Sequence, residues 1–330
     1  MSKDSILTCP PVGTKRVEQI TVNIGKWLST PGLHELANLF GTDVPEGLDC
    51  RRLSQWFLEF SDIWDFRGHQ ERSFDKKVGE GARWLLDSGE LTEKQKETAL
   101  LAASELGLIG NSIPARSDYD YIWVLGGAKL SCLLRSRLAK QTIESTGQTP
   151  KAVVMLASMR QIGDSERMAT DTYAPEAVTE FDLFVAAAEK EFGVGESFTE
   201  DRYDDASNIN SSWIVQKYLK DNLNIYIIAA PSSDPEKRRA NSADTYEFFF
   251  DYFKIEESSE VLLTTSQIYV PYQHLEAIRT IAIPHQINFD TIGFDPAWGG
   301  TLQGMNEPQN YLQEIRSTIQ AIDRFLTQYN

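Results

Sequence analysis

The segment YIWVLGGAKLSCLLRSRLAK, residues 121–140, decides the fold class, because a continuous apolar run passes through a glycine pair into a helical pattern. Further apolar runs follow at residues 152–158, 225–231, 261–266 and 287–295. Uninterrupted apolar runs are typical of strands that are buried on both faces of a parallel sheet. Since helical patterns separate these runs, the sequence predicts a three-layer α/β/α domain with a mostly parallel sheet.

Helical patterns connect the predicted strands and continue to the end of the sequence. The last of them is amphipathic, with apolar residues at helical spacing from Leu312 to Leu326. The stretch between residues 161 and 180 shows neither pattern, and we interpret it as an insertion or a mobile loop. The predicted helices cover residues 130–142, 179–192, 211–219, 244–253, 271–281 and 308–329.

The first third of the sequence has helical apolar spacing and no strand-like run. Its clearest helix lies within residues 91–110, where Thr92 can cap the start. Aromatic residues crowd together between residues 56 and 66, as either a helical core or a lid or partner surface. We therefore expect an N-terminal all-helical region, residues 1–115, followed by the α/β domain, residues 116–330.

Composition and charge narrow the classes of function. The 330 residues carry a formal net charge of −16, which opposes general nucleic-acid binding because that binding needs clustered cations. Three cysteines without C-x-x-C spacing, and an N-terminus without an apolar signal region, indicate a reducing cytoplasm. No apolar run could span a bilayer, and the four histidines lack partners at ligand spacing, so we expect no membrane segment and no metal. Nothing in the sequence indicates an oligomeric state.

The carboxyl ends of the predicted strands are where an open parallel sheet binds its ligands. The first strand delivers Gly126, Gly127 and Ala128 to this edge, and small residues permit a ligand to approach the backbone closely. The next helix begins there with free N–H groups and a positive dipole end. The glycines match neither the G-x-G-x-x-G fingerprint nor a P-loop, so a ligand loop and a structural turn both stay open.

Two arginines follow in this helix, and helical spacing separates their faces. Arg137 falls within the apolar stripe of leucines, whereas Arg135 points away from it toward solvent. A buried guanidinium needs a carboxylate, a phosphate or carbonyl groups to offset its desolvation. Arg137 is therefore either half of a structural ion pair or a ligand anchor.

Polar residues also follow the later strands. Ser158 and Arg160 end the second strand, and Ser266 ends the fourth, with Tyr269 in the loop beyond it. A basic cluster at residues 237–239 follows the third strand. All of these residues are expected at the same edge as the glycines.

Asp244 and Glu247 stand three residues apart before an apolar run, which is the spacing of a capping box. The alternative is that Asp244, Thr245 and Glu247 face the crevice and hydrogen-bond a ligand. The two interpretations stay open.

The order of these motifs resembles the YdcF/SanA-like domain family over roughly residues 118–283. The resemblance implies a Rossmann-like fold with its motifs gathered at one crevice, and a nucleotide-like ligand such as S-adenosylmethionine. Several family positions differ: Asp244 and Phe248 replace two asparagines, Tyr269 replaces a histidine, and Tyr272 replaces an arginine. The matching segments are VLGGA at 124–128, LRSRL at 134–138, LAS at 156–158, DTYE at 244–247 and TTSQIYVP at 264–271.

The sequence thus predicts an enzyme, with group transfer as the expected reaction class, that binds an anionic or nucleotide-like small molecule in the crevice. Arg137 and Arg160 would neutralise its charge. Glu247 would act as general base, and Tyr269, the second predicted catalytic residue, would orient the ligand. The rival interpretation is a non-catalytic ligand sensor that acts through a protein partner. RNA binding through residues 237–239 is a third alternative, which the net charge disfavours.

Overall fold

A computed structural model describes residues 7–66, 91–110, 112–197, 199–304 and 306–329 of the chain. The residues form two compact units, each of them discontinuous in sequence. The first unit lies within residues 1–111, 267–279 and 305–330, and the second comprises residues 112–266 and 280–304. No helix in the described ranges is long and apolar enough to cross a membrane.

Helices make up the first unit, and alternating strands and helices make up most of the second. The elements in chain order are α1 (Arg16–Leu28), α2 (Pro31–Leu39), α3 (Cys50–Phe60), α4 (Glu93–Glu105), β1 (Tyr121–Leu125), α5 (Ser131–Thr146), β2 (Ala152–Ala157), α6 (Asp164–Thr170), α7 (Glu180–Phe192), β3 (Thr199–Tyr203), β4 (Trp213–Lys220), β5 (Leu223–Ala229), α8 (Ser242–Phe253), β6 (Glu260–Ser266), α9 (Val270–Ala277), β7 (Asn288–Phe294), α10 (Gly300–Gln303) and α11 (Pro308–Tyr329).

The seven strands form one sheet in the order β3-β4-β5-β2-β1-β6-β7. Strands β5, β2, β1, β6 and β7 run parallel, and β4 is antiparallel to both β5 and β3. The α/β class, the mostly parallel sheet and the N-terminal helical region predicted from the sequence are confirmed.

The prediction of a helix at residues 211–219 was wrong, because most of this segment belongs to β4. Its buried residues Ile214, Val215 and Tyr218 have the i, i+1, i+4 spacing that also marks a helix.

Helices cover both faces of β1, which explains its unbroken apolar sequence. Ile122 and Val124 point into the core that α5 and α7 cover. Trp123 points to the other face, where its ring lies 4.9 Å from the ring of Phe249 and 5.4 Å from that of Tyr246, both in α8. The second unit therefore has three layers.

The strand order locates the crevice of the sheet. After β1 the chain crosses through α5 to β2 on one side, whereas β6 lies on the other side of β1. Such a reversal leaves an opening beyond the carboxyl ends of the two diverging strands, and open α/β sheets bind ligands there. In this protein that position lies beyond Leu125 and Ser266.

Residues 161–180, interpreted from the sequence as an insertion or a mobile loop, contain regular secondary structure. They contain α6, and Gln161 forms an antiparallel bridge with Thr179 at the two ends of the stretch. Glu166 in α6 and Glu180 at the start of α7 are both buried. Apolar periodicity missed the segment because polar contacts hold it in place.

The first unit forms as its local signals predict. Thr92 and Gln95 cap the start of α4 reciprocally, as a capping box. The rings of Trp56 and Phe60 stack at 5.2 Å, and Phe60 meets Trp64 edge to face, so these aromatic residues pack on one another. The apolar stripe of α11 is buried within the unit, at Leu312, Ile315, Ile319, Ile322 and Leu326.

Candidate functional site

Buried and half-buried charged side chains gather at the carboxyl ends of β2, β1 and β6, where an uncompensated charge would be costly. We call this group the carboxyl-edge cluster. Its members come from α5, from the end of β2, from α6, from the start of α7 and from the end of β6. They are Arg135, Ser158, Arg160, Glu166, Glu180 and Ser266.

Glu180 lies against the glycine loop that follows β1. Its carboxylate accepts a 2.8 Å hydrogen bond from the Ser158 hydroxyl and lies 3.6 Å from the Arg160 guanidinium. A Cβ atom at Gly126 would stand 2.7 Å from the Glu180 carboxylate. A side chain at position 126 would therefore displace the Glu180 carboxylate, and the sequence alone could not show this conflict.

Glu166 uses both carboxylate oxygens within the protein. They accept hydrogen bonds from Arg160 at 2.5 and 3.2 Å, and from the backbone N–H groups of Lys129 at 3.1 Å and Gly163 at 3.2 Å. Burial alone would raise the pKa of Glu166, but these bonds and the charge of Arg160 outweigh it and hold the pKa below its usual range. Lys129 has a φ of 55°, which lies in the left-handed region, and the bond from its N–H group to Glu166 stabilises this turn.

Arg160 carries the positive charge between the two carboxylates. Burial would lower the pKa of its guanidinium, but the charges of Glu180 and Glu166 outweigh that effect and raise the pKa. The Arg160 side chain is 14% exposed. It is thus permanently charged and reaches the surface of the crevice.

The burial of Arg135 and Arg137 is the reverse of the prediction. Arg135 is 4% exposed and donates to the carbonyls of Leu125 and Gly126 and, at 3.0 Å, to the Ser266 hydroxyl. Arg137 is 36% exposed and pairs with Glu191 of α7 at 2.9 Å, the structural alternative. The leucine stripe misled because the first half of α5 is buried on nearly every side.

Polar groups at the start of α5 also form hydrogen bonds within the protein. The Leu130 N–H donates to the Gln303 side chain at 3.0 Å, and the Cys132 thiol donates to the Gly127 carbonyl at 3.4 Å. Burial, followed by the charge of Glu180, raises the pKa of Cys132 to about 12. The thiol therefore stays protonated near neutral pH and is a poor nucleophile.

The Tyr173 hydroxyl lies near the same carboxylates. Burial, with the neighbouring Cys132 and Glu180, raises the pKa of this phenol. Its oxygen is buried and has no hydrogen-bond partner in the described part of the chain. It is neutral at physiological pH and can donate a proton in a hydrogen bond.

Other predicted site residues have partners away from this cluster. Asn241, not Asp244, caps α8, and Asp244 completes the capping box and pairs with Arg238. Burial opposes ionisation of Asp244, but its bonds to Arg238 and Ser233 lower its pKa to about 2. Thr245 donates to the Asn241 carbonyl at 3.1 Å.

The two predicted catalytic residues do not join the cluster within the second unit. Glu247 is exposed, and its carboxylate lies 3.5 Å from the ring of His285, which precedes β7 on the amino side of the sheet. Tyr269 is half-buried in a turn that belongs to the first unit. In the basic segment, Lys237 pairs with Asp234 at 3.0 Å, as Arg238 does with Asp244.

The opposite edge of the sheet also carries charged residues, which we call the amino-edge cluster. Arg116 and Glu260 form an ion pair at 2.8 Å, and the Tyr119 hydroxyl donates to Asp290 at 2.7 Å. An open cavity of about 740 Å³ lies beside Arg116 and Glu260.

Among the described residues, no group of three or more His, Cys, Asp or Glu side chains could hold a metal ion.

Sequence reasoning missed Glu166 and Glu180 because they lie outside the strand ends. A local signal was present, since each is next to a helix start. Gly163 and Glu166 have capping-box spacing, and so do Thr179 and Asp182 around Glu180. Only the fold brings the two carboxylates to Arg160.

The fold and the cluster define an α/β protein with a helical unit and a buried charged site at the carboxyl edge of its sheet. The family described as the Rv3785 N-terminal domain matches residues 12–107. The chain is 33% identical over 315 residues to the uncharacterized protein Rv3785 of Mycobacterium tuberculosis and to the uncharacterized protein Mb3814 of Mycobacterium bovis. The alignments cover 90% of this chain and 87% of each relative.

The chain therefore belongs to the Rv3785 family. No solved structure matches it significantly. The resemblance to the YdcF/SanA-like domain family was wrong, since both the family match and the relatives point to Rv3785. The short motifs that suggested it are ones that many α/β sheets share, namely small residues after a strand and a polar residue at its end.

Proposed function

We propose that the protein is an enzyme that acts on a small anionic molecule at the carboxyl-edge cluster. The observation that carries this proposal is Glu180, a carboxylate that is 7% exposed and contacts both Gly126 and Ser158. Buried ionisable groups cost solvation free energy, and they concentrate where a protein uses proton transfer or charge for function. The position beyond the diverging strands β1 and β6 favours the same interpretation.

The surface above the cluster supports an anionic ligand. Residues 126–129, Met159 and Arg160 are half-buried, so a molecule in the crevice would contact the glycine loop and reach the guanidinium. Arg160 offers a charge-assisted hydrogen bond, which is the strong kind. Lys129 adds a second positive charge at the tip of the loop.

We assign different roles to the two glutamates. Glu166 makes four hydrogen bonds within the protein, so it positions Arg160 and the loop. Glu180 accepts one short bond, from Ser158, and lies at a longer distance from Arg160. Glu180 is therefore the proposed acid–base group, in place of Glu247, and Ser158 orients its carboxylate.

Group transfer remains the proposed reaction class. The nucleotide-like ligand and S-adenosylmethionine were implied by the YdcF/SanA-like resemblance, and they are not part of this proposal. A bound phosphate or carboxylate group is the feature that Arg160 would recognise.

The test compares Glu180→Gln with Glu191→Gln. Both glutamates lie on α7 and pair with an arginine, but Glu191 pairs with Arg137 outside the cluster. A mixture of phosphorylated and carboxylated metabolites is incubated with each protein, and mass spectrometry records which compounds are consumed. We expect the wild type and Glu191→Gln to consume the same compound and Glu180→Gln to leave it unchanged.

Ligand binding separates catalysis from the rival sensor function. Thermal shifts with inorganic phosphate, adenosine monophosphate and citrate report binding, because a ligand stabilises the state that it binds. Stabilisation of the wild type without consumption of any compound would overturn the catalytic proposal in favour of a binding module. Equal consumption by Glu180→Gln and Glu191→Gln would remove Glu180 from the reaction.

A further inference from the structure

We propose that two copies of this chain associate through β3, which would join their sheets edge to edge. β3 forms one end of the sheet, and its only neighbour among the strands of the described residues is β4. All five of its residues, Thr199–Tyr203, are exposed. An exposed edge strand presents a row of backbone donors and acceptors, which can pair with another strand.

The sequence of β3, TEDRY, is complementary to itself in one antiparallel register. A two-fold axis through Asp201 places Glu200 of one copy opposite Arg202 of the other, and the same pair recurs by symmetry. Opposite charges in directly facing positions stabilise a strand pair. Edge strands that prevent association commonly carry charges, but a strand with both signs placed symmetrically attracts a second copy.

The remaining positions fit the same register. Thr199 faces Tyr203 of the other copy, and an aromatic ring opposite a β-branched residue is a favourable cross-strand pair. Tyr203 is 52% exposed, so its ring is available for this contact. Asp201 faces Asp201 of the other copy, which is unfavourable because the two charges are alike. The Tyr252 hydroxyl donates to the Asp201 carboxylate at 3.0 Å, which partly offsets this repulsion.

Neighbouring registers are worse. A shift that centres the pair on Glu200 or on Arg202 brings like charges face to face and removes the attractive pairs. The pattern therefore selects the pairing centred on Asp201. Within one chain Arg202 contacts Glu200 and Asp204, but these side chains are exposed and can exchange partners at little cost.

Charge reversal tests the register. Sedimentation equilibrium on the full chain, over a wide range of protein concentration, measures the dimer dissociation constant for wild type, Glu200→Arg, Arg202→Glu and the double variant. Each single reversal places like charges opposite each other twice, so we expect the constant to rise at least about tenfold. The double variant restores both attractive pairs and should restore the wild-type constant.

Cysteine cross-linking tests the position of the axis. Asp201→Cys places two thiols in directly facing positions, within the reach of a disulfide, whereas Tyr203→Cys does not. We expect a covalent dimer under mild oxidation from the first variant only. A wild type that stays monomeric at all concentrations, single reversals without effect, a double variant that stays weak, or equal cross-linking by both cysteine variants would overturn the proposal.

Discussion

At the carboxyl edge the side chains of Arg160 and Glu166 are 14% and 5% exposed, whereas at the amino edge those of Arg116 and Glu260 are 28% and 29% exposed. Each pair forms a salt bridge at one edge of the same sheet. The difference is access of water, which screens charges at the amino edge and is largely excluded at the carboxyl edge. An arginine–glutamate ion pair therefore stabilises the surface at the amino edge, whereas at the carboxyl edge the same kind of pair can form part of a functional site.

The largest effect is expected from removing a buried partner. Glu166→Ala leaves the Arg160 charge poorly compensated and frees the Lys129 and Gly163 N–H groups, so we expect the free energy of unfolding to fall by about 3–5 kcal/mol. Urea denaturation followed by circular dichroism measures this loss. A loss no greater than that of an exposed pair would show that the carboxyl edge is as well solvated as the amino edge.

A smaller loss is expected from crowding the same site. Gly126→Ala places a methyl group 2.7 Å from the Glu180 carboxylate, which must shift from its bond to Ser158. We expect a cost of about 1–3 kcal/mol in unfolding free energy. Gly195→Ala is the matched control, because a Cβ atom there meets nothing within 4 Å. Equal stability of the two variants would mean that Glu180 moves away freely.

Acid should affect the carboxyl edge through Glu166. Because its pKa is lowered on folding, the unfolded chain takes up this proton more readily than the folded protein does. The stabilisation is therefore fully present above the ordinary value of about 4.3 and is lost as the pH falls through the folded value. Thermal unfolding between neutral pH and pH 3 should show a shallower decline for Glu166→Gln than for wild type. An unchanged decline would assign the acid sensitivity to other carboxylates.

The smallest effect is expected at the amino edge. Arg116→Ala removes an ion pair that water reaches, so we expect a change of at most about 1 kcal/mol in unfolding free energy. Added salt should reduce this difference further, because it screens exposed charges. A loss as large as that of Glu166→Ala would end the distinction between the two edges.

Local sequence signals predicted much of the frame. The apolar runs located β1, β2, β5, β6 and β7, since strands covered on both faces need apolar side chains throughout. The two antiparallel strands at the edge were not predicted, because β3 is polar and exposed and the buried residues of β4 have helical spacing. The division into two units also depends on distant contacts, which group α11 with the N-terminal helices.

The candidate site was predicted in part. Gly126, Gly127, Ser158, Arg160 and Ser266 lie together, because parallel strands bring their carboxyl ends to one edge. Asp244 and Glu247 have separate partners, since the first completes a helix cap and the second lies on the exposed side of α8. A capping pattern and a ligand-binding pattern look alike in sequence.

The sequence by itself determined which segments become buried strands and where helices begin, because apolar periodicity and capping act over a few residues. Only the tertiary structure decided that Arg135 is buried and Arg137 half-exposed, and that Gly126 makes room for Glu180. Burial of a charge depends on every element packed around it, and these elements come from distant parts of the chain. The role of a charged residue is therefore fixed by the fold, although its position in a helix is fixed by its neighbours.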